Sequence, residues 1–277
     1  MSIKSGLYLI STPIGNLGDI TLRAIETLQH SDIILCEDTR VSSKLLAKHG
    51  IKNSLKIYND RSDEPLRILI KNLILEGKII SLISDAGTPL ISDPGYKLVR
   101  DLKHNNLHID VIPGPCAAIS ALVLSGLPTD QFLFAGFLPK NSSGKKNLFE
   151  KYIHIEATMI FYETSNRIID SLQVALNVLG DREASIAREL TKLHQESRLE
   201  KLSKLIEYYE NRVIKGEIVL LISGKPEEEI SASRVEDQIQ KLLIEGKSAR
   251  DASNIIFAKY KGKISKKIIY QTANRIK

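Results

Sequence analysis

Cysteine is scarce in this chain: Cys36 and Cys116 are the two thiols among 277 residues. Two thiols cannot build the multi-bridge framework of a small secreted domain, and neither has a partner at C-x-x-C spacing, so a reducing compartment is expected. Long hydrophobic runs are missing too. The opening "MSIKSGLYLIST" is too short an apolar stretch for a signal peptide, and no segment reaches the roughly 18 uninterrupted apolar residues of a membrane span. A soluble, cytoplasmic chain with no membrane partner is the expectation. Several chemistry-bearing patterns are absent as well: G-x-G-x-x-G, G-x-x-x-x-G-K-[ST] and G-x-S-x-G do not occur. His104 and His108 stand four apart, but Asn105 and Asn106 between them argue against a shared helix. No carboxylate or thiol completes a ligand set there, so no metal is expected.

What is present suffices for a sizeable core, since 43% of the residues are apolar. The formal charge of +6 is unevenly placed: residues 246–277 hold nine basic side chains and one acid, a net +8, against −2 for the preceding 245. Such a basic segment favours a polyanion, because each phosphate it neutralises releases counterions. A solvated lysine-rich helix pair is the plainer alternative.

The first half alternates apolar runs with helical spacing. "LYLIST" (7–12), "DIILCED" (32–38), "KIISLISD" (78–85) and "LHIDVIP" (107–113) read as strands, and the apolar residues between them recur at helical intervals. That alternation implies βαβ units and a largely parallel sheet. The strands end in "STPIGN", "EDTR", "SDAGTP" and "PGPCAA", and in open α/β sheets the carboxyl-end loops line the ligand crevice. Around "GLPTDQFLFAGFLPKNSSGKK" (126–146) the pattern changes, and a Gly/Ser/Lys loop suggests a boundary. The strands that follow are shorter and more polar, which predicts a mixed second sheet. "KPEEEISASRVED" (225–237) reads as a linker, followed by helices near 235–245, 248–260 and 265–275. Ser248 with Asp251 resembles a capping box, and Ser265 is a candidate cap for the last helix. The expected division is 1–125, 126–224 and a basic helical module at 235–277.

Within "SDAGTPLISDPG", Asp93 before Pro94 reads as an N-cap followed by proline at the first helical position. Asp85 to Pro89 have no such structural need. A carboxylate at a strand end, then a glycine without side-chain bulk, suits a ribose or an ammonium group packed against backbone; a wide turn is the alternative. Glu37, Asp38 and Arg40 of "CEDTR", and Glu163 and Arg167 of "FYETSNR", are clustered charges that suit either a site or mutual ion pairs. "SGKK" (143–146) reads as a loop with lysine.

Taken together, "TPIGNLGDITLRA", "EDTR", "SDAGTPLISDPG", "IPGPCAAISAL", "GLPTDQFLFAGFLP", "FYETSNR" and "ARELTKLHQE" resemble the bacterial 16S ribosomal RNA cytidine 2′-O-methyltransferases. These form a family of the tetrapyrrole-methylase-like superfamily, and the resemblance spans nearly the whole chain. It implies an α/β protein of two tetrapyrrole-methylase-type domains with S-adenosylmethionine between them, a small C-terminal helical module, and a homodimer. By the same likeness Pro13, Asp85, Ala86, Gly87, Thr88, Cys116, Ala117 and Tyr162 match cofactor-contacting segments. The chain departs from the pattern at Asn166, Gln195 and Ser223, where His, Glu and an acidic residue are usual. Those departures count against proton transfer at the three positions.

Methyl transfer from a sulfonium is an in-line displacement, so alignment supplies much of the rate. The acceptor 2′-hydroxyl gains nucleophilicity as its proton leaves. Asp38, Glu163 or a bound water is a candidate to take it, with Arg40 or Arg167 holding a phosphate. The 2′-OH itself would select RNA over DNA. Two rivals stand beside this reading: a small-molecule tetrapyrrole methylase, and a non-catalytic RNA-binding ribosome-assembly protein.

Overall fold

The apolar runs at 7–10 and 79–83 lie side by side at the centre of a parallel sheet in the computed structural model, which describes residues 3–59, 64–226, 232–260 and 264–276. In chain order this part comprises β1 (Gly6–Ile10), α1 (Leu22–His30), β2 (Ile33–Cys36), α2 (Thr39–Lys48), β3 (Ser54–Ile57), α3 (Glu64–Leu75), β4 (Ile79–Ile83), α4 (Tyr96–His104), β5 (Ile109–Ile112) and α5 (Ala117–Leu124). The strand order is β3-β2-β4-β1-β5 and every pairing is parallel. Leu7 and Leu9 face one layer, with Leu82, Leu98 and Leu102. Tyr8 and Ile10 face the other, with Ala24, Leu28 and Leu45. Both faces are covered, which is why the central strands read as continuous apolar runs. β3 escaped the sequence reading because "SLKI" is an exposed edge strand with little apolar signal.

The second sheet is built from β6 (Phe132–Phe137), α6 (Ser142–Tyr152), β7 (Thr158–Thr164), α7 (Ile168–Leu179), β8 (Glu183–Arg188), β9 (Glu196–Lys201), α8 (Leu202–Tyr209) and β10 (Glu217–Ile222). Its order is β6-β7-β10-β8-β9; β6 and β7 are parallel and the other neighbours antiparallel, the mixed sheet expected. Met159, Phe161, Leu220 and Ile222 pack under α6, α7 and α8 on one face. Ile160, Val219 and Leu221 pack on the other against Ala118, Ala121 and Leu122 of α5. α5 is apolar all round ("AAISALVL"), so although it leaves the first sheet it covers the second. That crossing ties the two sheets together.

Two local expectations are corrected. Residues 143–146 are not a loop: Asn141 caps α6 through the Gly144 N–H at 2.8 Å, and helix begins at Ser142. Nor is Asp93 a helix cap. α4 starts at Tyr96 with Gly95 as N-cap at φ 131°, a conformation that glycine tolerates best. A Cβ on Gly95 would stand 2.7 Å from both Leu82 and Leu90.

Contacts divide the chain into two compact units, Met1–Pro226 and Glu227–Lys277. The second contains α9 (Ala232–Ile244), α10 (Ala249–Lys259) and α11 (Lys266–Ile276), closed around Val235, Ile239, Ile256 and Ile269. The three expected helices are all present. Half of the expected linker is already α9, while 227–231 lies outside the described residues, as do Lys261, Lys263 and Lys277. Ser248 caps α10 by accepting from the Asp251 N–H and donating to its carboxylate at 2.6 Å. At Ser265 the backbone carbonyl accepts from the Ile269 N–H. Among the described residues no helix is long and apolar enough to cross a membrane.

Helix α6 also buries a charge that the sequence does not reveal. Lys145, 1% exposed, sets its ammonium 2.6 Å from Asp170 and 3.7 Å from the buried carboxylate of Glu163. Lys145→Ala would leave that carboxylate with one cation, Arg167. We expect a loss of about 2–4 kcal/mol in urea denaturation, near the range for breaking a buried pair. A loss under about 1 kcal/mol, the worth of an exposed pair, would contradict it.

Candidate active site

Three neighbouring strands end together at the carboxyl edge of the first sheet, and hydrogen bonds fasten their loops. Thr12 and Gly87 exchange backbone bonds, Thr12 N–H to Gly87 O at 2.9 Å and Gly87 N–H to Thr12 O at 3.1 Å. Thr12 Oγ1 donates to Ser84 O and Thr88 Oγ1 to Pro115 O, both at 3.0 Å, while Ser11 and Thr88 hydroxyls meet at 3.0 Å. The loops after β1, β4 and β5 thus form one floor. Gly87 sits at φ 86°, which favours glycine, and packs beside Ile14 and Pro115.

Above this floor lies a cavity of about 420 Å³ between the two sheets, inside the size range of small-molecule sites. Asp85, Ala86, Gly87, Thr88, Cys116, Ala117, Tyr162 and Glu163 line it, so most of the site residues expected from sequence come together. Pro13 lies buried between Thr12 and Ile14 and does not itself line the cavity. Ile14, Phe137, Leu190 and Val219 supply apolar wall. Tyr162 stands at its centre, edge-on to Phe134 and Phe137 at 5.0 and 5.3 Å. Its hydroxyl lies beside the Ala118 N–H, at the open N-terminus of α5, and the Cys116 thiol; burial pushes its pKa up to about 12, so it stays a neutral phenol.

The four residues expected to do the chemistry are placed differently. Asp38 caps α2 through the Arg40 N–H and holds the Arg40 guanidinium at 2.5 Å, and neither side chain lines the cavity. The hydrogen bonds from Arg40 lower its pKa to about 2, which makes it a poor base. Glu163 borders the cavity, yet its side chain is 0% exposed. That carboxylate is consumed by Arg167 at 2.6 Å, Ser171 at 2.6 Å and the Thr164 N–H at 2.7 Å, with Lys145 behind it. Asp38 with Arg40 and Glu163 with Arg167 are therefore mutual ion pairs, while Glu37 of the first motif lines the cavity, and the geometry favours anchoring over proton transfer for Asp38, Arg40, Glu163 and Arg167.

The sequence reading missed other cavity groups. Asp93, released from the capping role, lines the cavity with Asp85 and Glu217. No cation among the described residues pairs with it; burial, opposed by a bond to Ser84, raises its pKa to about 6. Asp85 is also shifted up, chiefly by burial, while the Asp38 N–H donates to it at 3.2 Å. Glu189 pairs with Lys192 at 3.0 Å on the opposite rim. Both rims carry non-glycine residues in the left-handed region: Leu90 and Ser92 on one, Glu189 and Thr191 on the other, at φ 50–71°. Local strain of this kind costs about 1–3 kcal/mol per residue and concentrates at binding sites. The signal that could have exposed Asp93 was negative: Gly95, between Pro94 and the helical run, is a poor interior helix residue.

A carboxylate held protonated to about pH 6 binds more protons folded than unfolded, where its pKa is about 3.9, so its ionisation costs stability as pH rises through that window. We expect Asp93→Asn to stabilise the protein at pH 8 by about 1–2 kcal/mol, the full shift being discounted for partial exposure. The gain should vanish near pH 4. Thermal melts showing a pH-independent effect, or destabilisation at pH 8, would contradict the assignment.

Comparisons with known proteins agree with this geometry. A family model, Tetrapyrrole (Corrin/Porphyrin) Methylases, matches residues 6–206. A protein of Rickettsia prowazekii called ribosomal RNA small subunit methyltransferase I is 52% identical over 277 residues, covering 100% of this chain and 99% of its own. One of the same name from Thermotoga maritima is 42% identical over 79% of this chain and 98% of its own. Among solved structures, a diphthine synthase superposes with TM-score 0.61 at 12% identity, covering 79% of this chain and 89% of its own. A cobalt precorrin-4 methyltransferase gives 0.57 at 17%, covering 78% and 94%. The chain belongs to the tetrapyrrole methylase family and, within it, to the group of the ribosomal RNA small subunit methyltransferase I proteins.

Proposed function

We propose that this methyltransferase uses S-adenosylmethionine to 2′-O-methylate a cytidine ribose in the 16S RNA of the small ribosomal subunit. The observation that carries the ribosomal RNA reading is the end-to-end match to the Rickettsia prowazekii protein of that name. The cavity fits the cofactor by charge. Asp85, Asp93 and Glu217 face it without an ion pair among the described residues, Lys192 is its one lining cation and is paired, and the walls are apolar. That donor set suits an organic cation and repels an anion.

When bound, S-adenosylmethionine supplies an electrophilic methyl group on a positively charged sulfur. In this reading Asp85 to Thr88, on their fastened loop, hold its polar groups, and Cys116, Ala117 and Tyr162 close the opposite side. The chain's share of catalysis is to align the acceptor oxygen and exclude water. A tetrapyrrole methylase would use the same crevice but has no need of a basic module; a non-catalytic assembly factor has no need of the cavity. A homodimer is part of the proposal. The exposed Ile119, Val123 and Leu124 of α5 support it, and light scattering would read twice the chain mass.

The test is methyl transfer to small ribosomal subunits from cells lacking the protein, with a tetrapyrrole as control. A 2′-O-methyl group protects the adjacent phosphodiester from alkali, whereas a base methyl does not, so the site of transfer is read directly. Label on a base, or on the tetrapyrrole alone, would overturn the reading. By calorimetry Asp85→Ala should weaken S-adenosylmethionine binding at least about tenfold, as expected for losing a charge-assisted hydrogen bond; an unchanged Kd would remove Asp85 from the site.

The second unit is the proposed RNA-binding element. The structure moves its start ahead of Gly246, because α9 shares the core of α10 and α11. Truncation after Pro226 should leave cofactor affinity intact, weaken binding to ribosomal particles, and flatten the slope of log affinity against log salt by roughly 0.7–0.9 per lost phosphate contact. An unaltered salt slope would mean its lysines are merely solvated.

A further inference from the structure

We propose that the Asp93 carboxylate takes the proton from the acceptor hydroxyl during methyl transfer. The inference rests on the functional reading above and assigns the base that reading leaves open.

Of the carboxylates that sequence alone puts forward, Asp38 is an exposed cap held by Arg40, and Glu163 is buried against Arg167 and Lys145. Glu189 is tied to Lys192. Asp93 lines the cavity, and among the described residues no cation pairs with it; the carboxylates of Asp85 and Glu217, the phenol of Tyr162 and the hydroxyl of Ser84 act on it. Burial and those two like charges keep its proton affinity nearer the working pH than that of an ordinary aspartate.

The Ser84 hydroxyl beside it suits both protonation states. Ser84 is 3% exposed; its hydroxyl donates to the Gly87 carbonyl at 3.0 Å and stands next to the Asp93 carboxyl. A hydroxyl has one proton and two acceptor lone pairs. When Asp93 is ionised, Ser84 donates to it. When Asp93 is protonated, its O–H donates to Ser84 Oγ, which turns its own proton to Gly87 O. Neither state strands a buried polar atom, so gaining and losing a proton costs little reorganisation. The loop is fixed by the left-handed Leu90 and Ser92 rather than by a helix, which keeps Asp93 out of the cap it would otherwise form.

The hydroxyl O–H bond breaks and its proton passes to Asp93; the oxygen takes the methyl group with the freed electron pair. The pair of the broken C–S bond stays on sulfur, which becomes a neutral thioether, and Asp93 later returns its proton to water.

Three proteins test it: the full-length parent, Asp93→Asn and Ser84→Ala. Carbon-13 NMR of the ligand-free parent should show a carboxyl titrating near pH 6, absent in Asp93→Asn and moved to higher pH in Ser84→Ala, which loses a donor to the ionised form. In single-turnover transfer to small ribosomal subunits, the parent rate should rise tenfold per pH unit below that point and then level. Asp93→Asn should lower the plateau by about 10²–10⁴ and erase the inflection, with the S-adenosylmethionine Kd changed less than about threefold. A plateau within about threefold of the parent, or a Kd rising as much as the rate falls, would overturn the assignment. An inflection unmoved by Ser84→Ala would do the same even if Asp93→Asn fails to fold. A parent that transfers no methyl to ribosomal RNA sinks the functional reading and this one with it; an active parent with an equally active Asp93→Asn sinks this one alone.

Discussion

The pair of backbone hydrogen bonds between Thr12 and Gly87 is the constraint from which the site follows. β1 lies between β4 and β5 in the sheet, so the loops leaving those strands emerge side by side. Unfastened, each would be an ordinary surface turn free to sample many conformations. The exchanged bonds make two of them a short antiparallel bridge, and the Thr88 hydroxyl then reaches Pro115 to bring in the third. The bridge holds Gly87 at φ 86°, a left-handed conformation that strains any residue with a side chain. The Asp-Ala-Gly-Thr run is thus a turn whose dihedrals are spent on presenting Asp85, Ala86 and Thr88 to the cavity.

Charge is partitioned along the same line. The second sheet buries carboxylates with cations matched to them: Glu163 with Arg167 and Lys145, Glu196 with Arg188 at 2.6 Å. Such pairs resist disruption because removing one partner strands the other. The cavity does the reverse and collects Asp85, Asp93 and Glu217, with which no cation pairs among the described residues. Unpaired like charges at a half-buried site oppose folding, and a sequence tolerates them where a cationic ligand compensates. The contrast separates scaffold carboxylates from ligand-facing ones better than their positions at strand ends do.

The fold was largely legible from sequence. Strands buried on both faces announce themselves as apolar runs, and the expected parallel and mixed sheets are both present. What was not legible depended on tertiary choice. β3 carries one partly buried leucine in four residues, too little for period-2 reading. Lys145 looks like a loop lysine because nothing local shows that α6 will lay it against Asp170. The cavity-lining stretch around Asp85 was legible because glycine and proline after a strand have few structural uses. Glu163 is locked in ion pairs and Asp93 lines the cavity instead of capping a helix for one reason: sequence shows which charges are near in the chain, while pairing is decided by what the fold brings opposite them.

The crossing of α5 completes the logic. A helix that returned to its own sheet would need one apolar face; "AAISALVL" has apolar residues on every side, and the structure spends one side on Ile160, Val219 and Leu221 of the other sheet. Its N-terminus therefore stands between the sheets, where Cys116 provides no side-chain cap. The Tyr162 hydroxyl from β7 stands beside the Ala118 N–H at that end. A phenol kept neutral by burial thus stands at the helix end, between the two walls of the cavity. The cavity's width is then a property of packing inside the unit, so a ligand meets walls already in place and spends little of its binding energy on assembling them.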